Sequence, residues 1–167
     1  LTLEARDAQP FELRAVANPP AHRKLLKAWW NEYTAPPKFL ERKPVGAGIM
    51  RSGFGSRLHP LLGYTKMHTG VDWAAPMGTP IYASGNGVIE KVGWEGGYGK
   101  YIRIRHTNGY ETAYGHLTAY ARGMDPGTRV RQGQVIGFVG STGLSTGAHV
   151  HYEILVNGRF VDPMRIK

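Results

Sequence analysis

Six of the seven histidines fall between positions 59 and 151, and the densest pairing among them is His149-Val150-His151. In a strand, residues two apart project from the same face, so both imidazoles would leave one surface of a sheet while Val150 and Tyr152 leave the other. Such a pair can put one histidine on a metal ion and the other beside it. A second pairing is His68-Thr69-Gly70-Val71-Asp72. Its four-residue spacing shares a face in a helix and, being even, also in a strand; Gly70 and the β-branched Thr69 and Val71 favour the extended form. The third element is Tyr114-Gly115-His116, read as the end of a strand. Each of these is commonplace by itself, since a histidine pair in a strand is more often structural than metal-binding. His106, beside Arg105 and ahead of the Asn108-Gly109 turn, and His22 read as ordinary structural histidines.

Cysteine is absent, which removes disulfides, thiolate zinc sites and cysteine nucleophiles together. Histidine and carboxylate side chains are then the remaining metal ligands. With 41% hydrophobic and 20% charged residues in a chain of 167, the composition is that of a folded domain with one main core. The longest apolar runs, such as residues 135–139, fall far short of the roughly 20 residues needed to span a bilayer as a helix. The net charge of +9 predicts attraction to polyanions, whether nucleic acid, acidic membrane or anionic cell wall, without choosing among them. A start at Leu1 with no basic-then-apolar leader suggests a processed product or part of a larger parent protein.

The elements that must position these side chains divide near residues 44–50. Only two of the 23 glycines precede position 51, whereas six of the 11 prolines lie at or before Pro44. Residues 1–49 read as an N-terminal extension with one helix over about 21–33. Leu25, Leu26, Trp29, Trp30 and Tyr33 form its apolar stripe, and proline pairs stand at both ends. A proline-rich linker over 38–44 follows, and the bland reading has the helix docking its aromatic face on the main domain. Residues 50–167 read as strands over 79–83, 87–92, 100–106, 110–116, 128–131, 135–139, 148–155 and 159–160. Turn signals lie between them at Gly85-Asn86-Gly87, Glu95-Gly96-Gly97, Asn108-Gly109, Asp125-Pro126-Gly127 and Asn157-Gly158. No amphipathic helix interrupts the series, so the expected fold is all-β: an antiparallel sheet of barrel or sandwich form, closed or nearly closed on itself, with a short N-terminal helical extension.

Taken together, the histidine elements and their surroundings resemble the lysostaphin-type, LytM-like zinc metallopeptidases. The landmarks are Ser52-Gly-Phe-Gly-Ser-Arg-Leu-His-Pro60, His68-Thr-Gly-Val-Asp72, Gly78-Thr-Pro-Ile-Tyr82, Tyr114-Gly-His-Leu117, Gly133-Gln-Val-Ile-Gly137, Gly140-Ser-Thr-Gly143 and His149-Val-His-Tyr-Glu153. The resemblance covers roughly residues 50–163. It implies that His68, Asp72 and His151 ligate a zinc ion. Three protein ligands leave a fourth position open, which is the layout of a catalytic site. The same resemblance makes His149 and His116 the catalytic histidines. His149 is the candidate general base and His116 a group that orients the water or stabilises the tetrahedral intermediate; which of the two takes the proton stays open at this point. Arg57 and His59 read as shaping the loop that walls the groove.

The function implied is hydrolysis of peptide bonds in bacterial peptidoglycan stems or cross-links, with D-alanyl cross-links preferred over glycyl-glycine. The partner is then a peptidoglycan peptide, with no nucleic acid and no transmembrane segment. The enzyme is expected to be monomeric and to work in the periplasm or cell envelope. Two competitors come from other classes. One is a non-catalytic wall-binding or regulatory module of the same fold, against which the intact ligand set counts. The other is a nucleic-acid-binding barrel using Tyr98, Tyr101 and Tyr110 as stacking faces, for which a steep salt dependence would be the signature.

Overall fold

The computed structural model describes residues 43–58 and 65–166. The helix expected over 21–33, most of the linker, His22 and His59 lie outside the described residues. Twelve strands follow in chain order: β1 (Ile49–Ser52), β2 (Gly55–Leu58), β3 (Thr65–His68), β4 (Val71–Ala74), β5 (Pro80–Tyr82), β6 (Gly87–Trp94), β7 (Lys100–Arg105), β8 (Tyr110–Tyr120), β9 (Arg129–Val130), β10 (Val135–Val139), β11 (His149–Val156) and β12 (Arg159–Val161). Two short 3-10 turns, Gly96–Tyr98 and Pro163–Arg165, are the only helical pieces among the described residues. The expected antiparallel all-β body is observed, and each of the eight expected strands overlaps one of β5 to β12.

Ten strands form one sheet in the order β1-β4-β11-β8-β7-β6-β9, with β12 added alongside β11 and with β10 bridging β8 to β5. Strands β2 and β3 make a separate two-stranded sheet. All pairings are antiparallel. The long strand β8 organises the whole, because its two halves have different neighbours. Its first half pairs with β11 as far as Gly115 opposite His151. Its second half pairs with β10 from Leu117 onward, opposite Val139. His116 stands at the handover.

This corrects the reading of His116 as a strand terminus: the chain continues in β8 for four more residues. The physical reason is a local kink. His116 has φ +64°, in the left-handed region that side-chain-bearing residues seldom occupy. The β7 register slips over the same stretch, with Lys100 opposite Leu117 but Ile102 opposite Tyr114. A bulge of this kind bends the strand and re-aims one side chain without ending the pairing.

One face of the sheet is dry. Val71, Trp73, Ile81, Ile89, Ile102, Ile104, Tyr114, Leu117, Ile136, Val139, Val150, Tyr152 and Ile154 form a continuous cluster, nearly all of it at or close to zero exposure. In β11, Val150 and Tyr152 point into this core, which by strand alternation sends His149, His151 and Glu153 to the other face. Val45 is also fully buried in the cluster, and the Tyr82 amide donates to the Pro44 carbonyl at 2.7 Å. The folded body therefore takes in these residues ahead of β1. Tyr101 is buried, and the half-buried Tyr98 donates its hydroxyl to Glu153 Oε2.

Candidate active site

His68 and Asp72 do not lie on one continuous extended segment. His68 closes β3 in the small sheet, Asp72 sits in β4 of the large sheet, and Thr69-Gly70 turn the chain between them. The turn needs glycine at position 70 because a Cβ there would stand 2.1 Å from the Tyr152 carbonyl oxygen and 2.9 Å from Glu153 Cγ. This close approach lays the β3–β4 turn directly over β11. The β4–β11 register then sets Asp72 opposite His151, so two residues 79 positions apart in sequence become cross-strand neighbours.

Three potential ligand atoms converge at that point. His68 Nε2 lies 3.2 Å from Asp72 Oδ1 and 3.2 Å from His151 Nδ1, and His151 Nδ1 lies 2.9 Å from Asp72 Oδ1. The other ring nitrogen of each histidine is already committed. His68 Nδ1 donates to the Gly53 carbonyl at 2.6 Å, which leaves Nε2 as the bare nitrogen. His151 Nε2 donates to Glu153 Oε2 at 2.9 Å, which leaves Nδ1. Both rings are buried and Asp72 is largely so, with 13% of its side chain exposed.

Two imidazole lone pairs and a carboxylate oxygen facing one another out of water demand a positive charge. The titration tendencies say the same. Burial alone would push the Asp72 carboxyl up, but hydrogen bonds from His151 and His68 and their charge outweigh it and hold the group far below the ordinary carboxylate range. Burial alone would lower His151, yet hydrogen bonds to Asp72 and Glu153 and their charges raise it to about 9. A proton held there occupies the position a metal cation would take. Ligands about 2.0–2.1 Å from a tetrahedral ion stand about 3.3–3.4 Å apart, close to the separations of 2.9 to 3.2 Å found here. All three donor atoms lie within 4.8 Å of one another, so the residues present fit a single ion.

The two remaining histidines flank this triad. His149 Nε2 is 3.8 Å from Asp72 Oδ1, and the His149 and His116 rings are 4.7 Å apart, centre to centre. Each holds its Nδ1 proton on a backbone carbonyl, His149 on Gly147 and His116 on Thr142, both at 2.7 Å. Each therefore keeps Nε2 free of that commitment. The carbonyls come from the segment between β10 and β11, which is pinned by Thr142 Oγ1 donating to the Leu117 carbonyl at 2.6 Å and by the Gly140–His149 bridge. Burial pushes the His116 imidazolium down to about 4, so the ring is neutral at physiological pH.

All five residues singled out from the sequence are thus brought together. Arg57 lies in β2. Three residues were not assigned to this site from the sequence: Glu153, Tyr98 and Thr69. Thr69 Oγ1 and the Tyr98 hydroxyl, the latter at 2.6 Å, donate to the same Glu153 oxygen that accepts from His151. A signal for Glu153 was present, because positions 149, 151 and 153 share one strand face. Nothing local in the sequence links Tyr98 or Thr69 to it.

Comparison with known proteins agrees with this architecture. DD-carboxypeptidase/endopeptidase Mpg of Neisseria meningitidis serogroup B is 53% identical over 124 residues, which is 74% of this chain. This chain spans only 28% of the length of that relative. Among solved structures, a zinc-containing peptidase from Vibrio cholerae superposes with a TM-score of 0.69 at 38% identity, over 75% of this chain and 39% of the other. The catalytic domain of lysostaphin from Staphylococcus simulans superposes with a TM-score of 0.63 at 32% identity, over 77% of this chain and 94% of the other. Residues 66–163, more than half of the chain and a stretch that holds all five histidine and aspartate positions, match Peptidase family M23, and the chain belongs to that family.

Proposed function

We propose that this chain is a zinc metalloendopeptidase that hydrolyses peptide bonds in peptidoglycan stem or cross-link peptides. The observation that carries the reading is the convergence of His68 Nε2, Asp72 Oδ1 and His151 Nδ1, each held with its lone pair toward the others. These three would hold the ion. Zinc bound in such a site supplies a water nucleophile near neutral pH and polarises the scissile carbonyl.

The protein's own residues supply the rest. His149 offers Nε2 beside the Asp72 carboxylate, and with Nδ1–H anchored on Gly147 it can take a proton from the attacking water and pass it to the leaving amine. His116, kept neutral by burial, accepts a hydrogen bond through Nε2 and so orients that water. His149, whose Nε2 stands 3.8 Å from Asp72 Oδ1, is the candidate for the transfer. The left-handed backbone at His116 points to function, since strained conformations of this kind collect at active sites.

The substrate rests on the relatives. Mpg is named for DD-carboxypeptidase and endopeptidase activity, which supports D-alanyl bonds over glycyl-glycine bonds as the target here. A peptidoglycan substrate carries with it action in the periplasm or cell envelope. Digestion of purified peptidoglycan with zinc and with a chelator, followed by mass spectrometry, tests both parts. Chelator-sensitive release of products cut at D-alanyl cross-links is expected. Cleavage confined to glycyl bonds would overturn the bond preference. Stoichiometric zinc without cleavage would favour a wall-binding module instead.

A further inference from the structure

We infer that Glu153 is a positioning residue for the metal: its carboxylate, held in place by Tyr98 and Thr69, locks His151 in the Nε2–H form and strengthens the hold of Nδ1 on the ion. The inference rests on the metal site proposed above and goes beyond it, to a carboxylate outside the ligand set.

Glu153 is fully buried, and a carboxylate out of water is costly unless its charge is used. Three donors meet it, from three different places in the chain. Thr69 comes from the β3–β4 turn, Tyr98 from the 3-10 turn ahead of β7, and His151 from β11 itself. All three converge on Oε2. Oε1 is equally buried and has no hydrogen-bond partner among the described residues. The arrangement is therefore one-sided: one oxygen accepts three hydrogen bonds, one of them from the imidazole, and the other has no partner among the described residues.

A glutamine would offer these donors its carbonyl oxygen in the place of Oε2, but without the charge that strengthens each hydrogen bond and with a buried amide NH2 where Oε1 has no partner. What the carboxylate adds is negative charge 2.9 Å from the ring nitrogen of His151, which raises the electron density at the opposite nitrogen, Nδ1. Tyr98 and Thr69 fix where that charge sits. The Tyr98 ring also packs against His151, with centroids 5.5 Å apart, and limits rotation of the imidazole. His68 has only a neutral carbonyl, that of Gly53, in the corresponding place, so the two histidines of the triad are unequally supported.

The test uses the 167-residue chain and zinc alone. Affinity is measured by competition with a chromophoric chelator for the wild type and for Glu153→Gln, which keeps the shape and the acceptor and removes the charge. Zinc binding weaker by about 10- to 100-fold is expected in the variant, with the circular dichroism of the metal-free protein unchanged. Equal affinity, within about twofold, would overturn the role of the charge while leaving the metal site standing. If the wild type itself fails to bind zinc, the metal site and this inference fall together. Nitrogen-15 NMR of the zinc-loaded wild type needs no variant to fold. It is expected to show His151 protonated at Nε2 and His68 protonated at Nδ1. A His151 ring carrying its proton on Nδ1 would overturn the inference.

Discussion

His149 and His151 are two residues apart on one strand and have the same chemistry, yet they hold opposite tautomers. The Gly147 carbonyl takes the Nδ1 proton of the first, and the Glu153 carboxylate takes the Nε2 proton of the second. Their roles separate for that reason: His151 turns Nδ1 toward Asp72 and His68, while His149 brings Nε2 to within 3.8 Å of Asp72 Oδ1. His149→Ala is expected to keep stoichiometric zinc and lose about 10²- to 10⁴-fold in kcat, the range for a missing general base. His68→Ala removes one of three ligands and is expected to lose both metal and turnover. Zinc content by atomic absorption, set beside peptidoglycan turnover, separates the two outcomes. A fully active His149→Ala enzyme would refute the assigned role.

Among the elements, β8 and the β3–β4 turn do the positioning. The kink at His116 lets β8 leave β11 and take up β10, and the gap that opens there is where the segment between β10 and β11 crosses with its two carbonyls. The β3–β4 turn reaches the site only because Gly70 lets the backbone approach β11. Gly70→Ala sets a methyl group against the Tyr152 carbonyl, a rigid part of the central sheet, so the turn must lift. A loss of about 3 kcal/mol is expected, at the upper end for overpacking, together with weaker zinc binding because His68 and Asp72 flank the turn. Thermal unfolding of the metal-free protein and zinc competition read the two effects separately.

Among the described residues, the histidines divide by hydrogen-bond partner rather than by position in the sequence. His106 lies away from the metal triad in a polar pocket, with Nδ1 donating to the Asn86 carbonyl and Nε2 accepting from Thr112, which in turn meets the Tyr114 hydroxyl. Burial lowers its folded pKa to about 4, against an ordinary 6.5. Between those values the unfolded chain binds a proton that the folded protein refuses, so stability contributed by neutral His106 is complete above pH 6.5 and falls as the pH drops toward 4. The loss amounts to about 3 kcal/mol. Comparing denaturant midpoints of the wild type and His106→Gln from pH 7 to pH 4 isolates this effect, since His116 and His151 are common to both. A gap between them that does not change with pH would show that His106 is not held neutral.

The strand face of His149 and His151, the turn signals and the absence of cysteine are local properties, and they were legible because a period of two and the chemistry of a side chain need no knowledge of the rest of the fold. The sequence determined eight of the strands and the all-β class; the five polar residues were singled out through the family resemblance, and the structure brings them together. Strands β1 to β4 were not read as separate strands because each is only four residues long, and the stretch 68–72, read as extended, is divided between β3 and β4. They pair with one another, and β4 also with β11. Only the tertiary structure decided that β8 runs through His116, that a turn separates His68 from Asp72, and that Tyr98 and Thr69 converge with His151 on one oxygen of Glu153. Register across strands far apart in sequence sets those contacts, and each imidazole's free nitrogen follows from a partner that no local spacing reveals.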